Sequence, residues 1–263
     1  MVSPIAVDIA HTTVKIMVVE DVDFNLTILT DILAQRGRQV VAATSGEAAL
    51  GILAQGCDFQ IILMDIGLPG IDGTEAMRRI KANPAWSAIP VIALTAETAA
   101  EQERLLAAGF DGYVEKNFDP DQLYDAIDRH LRLACENKQG TGPISTPPAE
   151  NTDLDFEALL TTYTDENSIC RITKAFFTDT GKQILILGEA MTAKDQTQIL
   201  ACCHSIMGSA AIFTAQKLAA AAKELDTCVR QGKNTNAESA WHKVQAAHAS
   251  LREAVTRRLN LSL

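Results

Sequence analysis

From Lys15 to Leu133 short apolar runs alternate strictly with segments of helical periodicity, and this alternation leaves few folds open. Ile16-Met17-Val18-Val19 is a continuous apolar run, as expected of a strand buried on both faces. Further strands are read at Gln39–Ala43, Phe59–Met64, Pro90–Leu94 and Gly112–Glu115. Helical spacing fills the gaps, at Asn25–Arg36, Ser45–Ala54, Gly73–Lys81, Ala99–Ala108 and Pro120–Leu133. Gly37 ends the first helix. Ser45 is placed as the cap of the second, with Ala48 and Leu50 facing inward. A strict strand–helix alternation predicts an α/β doubly wound five-stranded parallel sheet with helices on both faces.

The pattern breaks at residues 134–152, where Gly140, Gly142, Pro143, Pro147 and Pro148 stand among polar residues. This stretch reads as a linker, stiffened near its prolines, that lets its flanking domains take several orientations. Beyond it only helical periodicity is found: a short segment at Leu154–Tyr163, then Glu166–Met191 with a possible bend at Gly181, Asp195–Phe213, Ala215–Gln231 and Thr235–Leu259. Short connections between long helices predict an all-α antiparallel bundle over 153–263. Residues 1–14 read as a loosely ordered tail ahead of the domain at 15–133.

Charge is distributed unequally between the halves. Residues 1–134 hold 10 Lys and Arg against 19 Asp and Glu, whereas residues 135–263 hold 13 against 14. With a net charge of -10 there is no basic stripe of the kind a general nucleic-acid binder carries. The six cysteines show neither a CxxC pair nor a disulfide-framework spacing. Cys202, Cys203 and His204 are consecutive, but neighbours on a helix point about 100° apart and do not grip one ion. Reduced thiols in a cytoplasmic protein are the expectation. No apolar run approaches a membrane span, and the first residues lack a basic region followed by an apolar core.

In an open parallel sheet the active crevice lies beyond the carboxyl ends of the strands. Read there, the first strand ends in Glu20-Asp21, the third in Asp65, the fourth in Thr95-Ala96 and the fifth in Glu115-Lys116. Clustered carboxylates repel, and a hard divalent cation relieves that repulsion. One carboxylate can serve as a nucleophile toward phosphorus, while a lysine and a hydroxyl neutralise phosphoryl oxygens. Any single acidic strand end would mean little, and an Asp–Lys pair could be a plain ion pair. Suitable residues at four strand ends point to phosphoryl chemistry.

Of the histidines at 11, 130, 204, 242 and 248, only His204 has an informative setting. Its helix carries core-type residues at Ile199, Cys203, Ile206, Ala210 and Phe213. At about 100° per residue the imidazole points about 140° from that stripe, so it is expected to face solvent, with Ala201, Gly208 and Ala211 on its own face. Gly208, one turn on, removes bulk where a phosphoryl group and its carrier would approach. Read from spacing alone, His204 could equally be an ordinary surface histidine beside an incidental glycine.

These motifs resemble two known families. Lys-Ile-Met-Val-Val-Glu-Asp at 15–21, Leu-Met-Asp-Ile-Gly-Leu-Pro-Gly-Ile-Asp-Gly at 63–73, Ile-Ala-Leu-Thr-Ala at 92–96 and Gly-Phe-Asp-Gly-Tyr-Val-Glu-Lys at 109–116 are similar to a response-regulator receiver domain, which has a flavodoxin-like sheet. The resemblance implies that Asp65 accepts phosphate and that Asp21 and Asp65 hold magnesium. It adds Glu20 acting through water and the Gly67 carbonyl as a further ligand. It implies that Thr95 and Lys116 bind phosphate oxygens, and that Tyr113 is the aromatic that moves when Thr95 is drawn in. The family's usual proline after the lysine is Asn117 here; a trans peptide is expected, since a cis bond without proline costs about 2.5–4 kcal/mol.

His-Ser-Ile-Met-Gly-Ser-Ala-Ala at 204–211, with Ala-Phe-Phe at 175–177, Leu218 and Lys-Glu-Leu-Asp at 223–226, resembles a histidine-containing phosphotransfer (HPt) domain. The family's lysine three residues after the histidine is Met207 here. The resemblance implies that His204 carries phosphate and exchanges it with a receiver aspartate. The expected function is therefore that of a two-component phosphorelay protein whose partners are a histidine kinase and other receiver or HPt proteins. An alternative is that phosphate on Asp65 gates partner binding by the helical domain and never reaches His204. A metal-dependent phosphatase is disfavoured, because no histidine is expected near the acidic crevice.

Overall fold

The computed structural model describes residues 14–56, 58–96, 99–116, 120–136, 166–232 and 234–259. Ten elements alternate in the first part: β1 (Lys15–Val19), α1 (Asp23–Gln35), β2 (Gln39–Ala43), α2 (Gly46–Gln55), β3 (Ile61–Asp65), α3 (Gly73–Ala82), β4 (Val91–Thr95), α4 (Ala99–Ala108), β5 (Gly112–Glu115) and α5 (Pro120–Glu136). Four helices follow: α6 (Glu166–Ala193), α7 (Gln196–Ile212), α8 (Gln216–Arg230) and α9 (Asn234–Leu259). The N-terminal tail, nearly all of the linker and the helix expected at 154–163 lie outside the described residues, as does Asn117.

All strand pairs are parallel, in the order β2-β1-β3-β4-β5. Strand periodicity divides the core into two halves. Ile16, Val18, Ile61, Leu63, Ile92 and Leu94 face α1 and α5. Met17, Val19, Ile62, Met64, Val91 and Ala93 face α2, α3 and α4. Both faces are covered, which is why these strands read as unbroken apolar runs. Helix α1 stops where Gly37 takes a left-handed φ of 67°. Ser45 Oγ does cap α2, accepting from the Ala48 amide at 3.1 Å. The inward residues there are Ala49 and Leu53, with Ala48 and Leu50 only half-buried, so the expected face was one position off.

Helices α6 to α9 pack as a bundle, and α6 runs without interruption through Gly181. Asp195 caps α7, the helix that carries His204, by accepting from the Gln198 amide at 3.1 Å. Asp195→Ala is expected to cost about 1 kcal/mol of stability, measured by urea unfolding, without altering the fold.

The bundle docks on the sheet domain through α1. Phe24 of α1 meets Phe176 of α6 edge-on at 5.3 Å between ring centroids, and Phe213, which follows α7, at 5.9 Å. Phe176 and Phe213 stack at 4.0 Å. Helix α1 has no side-chain cap of its own at Val22, and Asp179 of α6 fills that role across the interface, its Oδ2 accepting from the Phe24 amide at 2.8 Å. Arg171 pairs with Asp31 at 2.6 Å at the exposed rim, where such a pair contributes little.

Candidate functional site

The neighbouring ends of β1 and β3, where the strand order reverses, bring the acidic residues together. Glu20 follows β1, Asp65 ends β3, Thr95 ends β4 and Lys116 follows β5. All four are buried, and Asp65 is only 2% exposed. Carboxylate oxygens of Glu20, Asp21 and Asp65 lie within 4.8 Å of one another, the cluster among the described residues that could hold a metal ion. Three hard oxygen donors in that space suit a magnesium-like cation. Lys116 Nζ sits 2.8 Å from Glu20 Oε2 and 2.9 Å from Asp65 Oδ1. The Ile66 amide donates to Asp65 Oδ1 at 2.8 Å. Glu20 Oε1 accepts from Asn25 Nδ2 at 2.9 Å.

One lysine cannot neutralise two buried carboxylates, and the two respond oppositely. Burial disfavours ionisation of Asp65, but the charges of Lys116 and His204 outweigh it and hold its carboxyl below the usual range. Burial and the Asp65 charge push Glu20 up to about 7, against Lys116 and Asn25. Burial and Asp65 also raise Asp21. Lys116 is desolvated, yet Asp65 and Glu20 hold its ammonium above the ordinary range. The lysine shift favours the ion pair and the Glu20 shift opposes it, because burial and the Asp65 charge outweigh Lys116 at Glu20.

His204 completes the site from the other domain. Its Nε2 lies 3.6 Å from Asp65 Oδ1, and its side chain is 18% exposed. The imidazole therefore faces the acidic crevice. The expectations of a solvent-facing ring, and of no histidine near the crevice, are both corrected. The stripe of Ile199, Cys203, Ile206, Ala210 and Phe213 is buried as read, but what covers the opposite face is the sheet domain. Two glycines permit the approach. A Cβ at Gly67 would overlap the His204 ring, and one at Gly208 would lie 3.1 Å from Lys116 Nζ and 3.6 Å from Asn25 Nδ2.

Tyr113 is half-buried on β5, beside Ala93 in register, with burial and Glu115 raising its hydroxyl pKa. Met207 is buried. Cys202 and Cys203 are buried too, and burial pushes the Cys203 thiol up to about 12, as suits inert reduced thiols. His248 pairs with Thr180 at 3.1 Å, and burial lowers its pKa. The sequence reading missed Asn25, Phe24 and Asp179. The signal for Asn25 was present: it falls one helical turn before Ile28 and Leu29, on the buried stripe of α1, where a polar residue needs a reason.

Comparisons with known proteins match two separate segments of the chain. Residues 16–128 match the model of the response regulator receiver domain, and residues 171–256 that of the Hpt domain. The sensor histidine kinase GacS of Pseudomonas protegens is 27% identical over 233 residues, 82% of this chain and 24% of that protein. The sensor protein GacS of Pseudomonas syringae pv. syringae is 35% identical over 127 residues, 47% of this chain and 14% of that protein. The chain thus spans a quarter or less of the length of these curated relatives. The receiver domain of a Pseudomonas aeruginosa sensor histidine kinase, solved with magnesium in its active site cleft, is 31% identical, with a TM-score of 0.43 over 46% of this chain and 99% of that one. No helix among the described residues is long and apolar enough to cross a membrane. Residues 16–128 belong to the response regulator receiver domain family and residues 171–256 to the Hpt domain family, and the chain joins one of each.

Proposed function

We propose that this chain is a phosphorelay protein in which Asp65 and His204 are successive phosphate carriers. The observation that carries this reading is the 3.6 Å separation of His204 Nε2 from Asp65 Oδ1. A carboxylate oxygen of Asp65 attacks the phosphorus of a phosphohistidine on a kinase, the P–N bond breaks, and an acyl phosphate forms. The Nε2 lone pair of His204 then attacks that phosphorus, the acyl P–O bond breaks, and the Asp65 carboxylate is released; the reverse transfer uses the same atoms. Lys116 and the Thr95 hydroxyl bind the phosphoryl oxygens, and Tyr113 follows Thr95 as the switch. Glu20, Asp21, Asp65 and the Gly67 carbonyl would hold a magnesium ion, which when bound supplies charge neutralisation at the phosphoryl group. The receiver's own residues would also govern phosphorylation and hydrolysis at Asp65. The setting is cytoplasmic, and further receiver or Hpt proteins exchange phosphate with His204.

Reacting atoms approach to about 3–3.5 Å before phosphoryl transfer, so nitrogen and oxygen flanking a phosphorus lie about 5 Å apart. At 3.6 Å the domains are in the unphosphorylated, closed arrangement, and they must part by about 1–2 Å to admit the group. This proximity weighs against a receiver that gates the bundle without relay.

The test is labelling by a small phosphodonor with magnesium. The full chain is expected to form a base-labile phosphate at Asp65 and an acid-labile phosphate at His204. His204→Gln keeps the first and loses the second, and Asp65→Asn loses both. Phosphohistidine persisting in His204→Gln would move the carrier to His242 or His248. Histidine labelling persisting in Asp65→Asn would sink the relay order.

A further inference from the structure

Asn25 is fully buried in the first turns of α1, an unusual place for a carboxamide. Its Nδ2 donates to Glu20 Oε1 at 2.9 Å. With Glu20 ionised its carboxylate only accepts, so this bond fixes which end of the Asn25 group is the oxygen. Asn25 Oδ1 is buried and has no hydrogen-bond partner among the described residues. An orphaned buried acceptor of this kind is costly unless something supplies a donor. The amide head lies against the Glu20 carboxylate, at the edge of the Glu20, Asp21 and Asp65 cluster. Gly208 of α7 closes over it, since a Cβ there would stand 3.6 Å from Nδ2.

Magnesium dehydrates reluctantly and keeps several waters when protein carboxylates bind it. Such a water is a donor only, with its lone pair committed to the metal. The acceptor demand of a hydrated cation and the orphaned Asn25 Oδ1 are therefore complementary. We propose that Asn25 is a positioning residue for the divalent site: Nδ2 holds the Glu20 carboxylate in orientation, and Oδ1 accepts a hydrogen bond from a water carried by the cation. The proposal deepens the phosphorelay reading and rests on it. It assigns a role to a residue that touches neither the phosphoryl group nor, directly, the metal.

The test uses magnesium alone, titrated into the full-length chain and followed by amide shifts near Asp21 and Asp65 and by melting temperature. Asn25→Leu preserves volume and removes both polar functions; its magnesium affinity is expected to fall about 10-fold or more, the scale on which residues behind the ligands act. Asn25→Asp keeps an acceptor but sets a further carboxylate beside Glu20. It is expected to melt below the parent without metal and to recover with saturating magnesium, a crossing that a packing role would not produce. Unchanged affinity in Asn25→Leu, or an Asn25→Asp deficit that magnesium leaves in place, would overturn the assignment while labelling of Asp65 and His204 stands. Failure of the parent chain to bind magnesium or to accept phosphate would overturn the relay reading itself, and this assignment with it.

Discussion

Phe24→Ala is expected to uncouple the two domains and to slow transfer between Asp65 and His204 by about 100-fold or more. Phe24 is buried, yet much of what it touches belongs to the other domain: Phe176 at 5.3 Å and Phe213 at 5.9 Å. Truncating a buried phenylalanine costs about 3–5 kcal/mol. In a closed–open equilibrium even 3 kcal/mol lowers the closed-to-open ratio by about 100-fold. The linker keeps the Hpt domain at an effective concentration on the order of millimolar, so encounter continues while residence falls. The loss should appear in the rate of acid-labile phosphate formation.

The same substitution carries an opposite expectation for Asp65. In the closed form His204 and Gly208 lie over a carboxylate that is 2% exposed, so an outside donor must wait for the domains to part. Opening the interface should speed labelling of Asp65 by a small phosphodonor while slowing its relay to His204. X-ray scattering should show a larger radius of gyration, and hydrogen exchange should quicken at the Phe24 amide, which loses the Asp179 carboxylate at 2.8 Å. Equal scattering, equal labelling and equal transfer in Phe24→Ala would show that this interface does not govern the relay.

The elements legible in the sequence were those set by local signals. Five apolar runs and their turn residues located the five strands, and the polar residues at four of their ends located the crevice. Strand bounds shifted by one or two positions, as at β3 and β4, because Asp65 and Thr95 are polar yet still paired in the ladder. The inward stripe of α7 was read correctly from its threes and fours. Its outward face was not, because periodicity distinguishes buried from unburied only within one domain. Nothing local to His204 announces that a second domain covers it. Phe24 was similarly silent: it stands just ahead of the helix as read, at Asn25–Arg36. Asp179 and the Phe24 amide are 155 positions apart, a separation at which no spacing rule operates. The range of orientations expected from the linker includes this docked one, and the Phe24→Ala measurement reads how strongly it is preferred.

Glu20→Gln is expected to raise the stability of the metal-free chain at pH 7.5 and to weaken its response to magnesium sharply. Glu20 has its carboxyl raised to about 7 from an ordinary 4.5, because burial and the neighbouring Asp65 charge oppose ionisation. The folded state therefore binds a proton more tightly than the unfolded state between those values. Stability falls as pH rises through that window, and the full penalty, on the order of 3 kcal/mol, is present above it. Asp65 is shifted in the other direction, so its contribution changes only in strong acid and leaves this window untouched. The lowered pKa of His248 acts oppositely, destabilising the fold as pH falls through the histidine range, and it is common to both proteins. The difference between the parent and Glu20→Gln isolates the carboxylate. Glutamine keeps one oxygen acceptor, which serves Lys116, while its amide nitrogen turns to Asn25 and carries no charge to be buried. Melting temperatures from pH 5 to 7.5 should diverge, with Glu20→Gln the more stable at the upper end. Magnesium should lift the parent at high pH, because a cation favours the ionised carboxylates, and should do little for the variant. Parallel pH profiles in the two proteins would mean that Lys116, 2.8 Å from Glu20, already neutralises it, and the crevice would then have little electrostatic need of a metal.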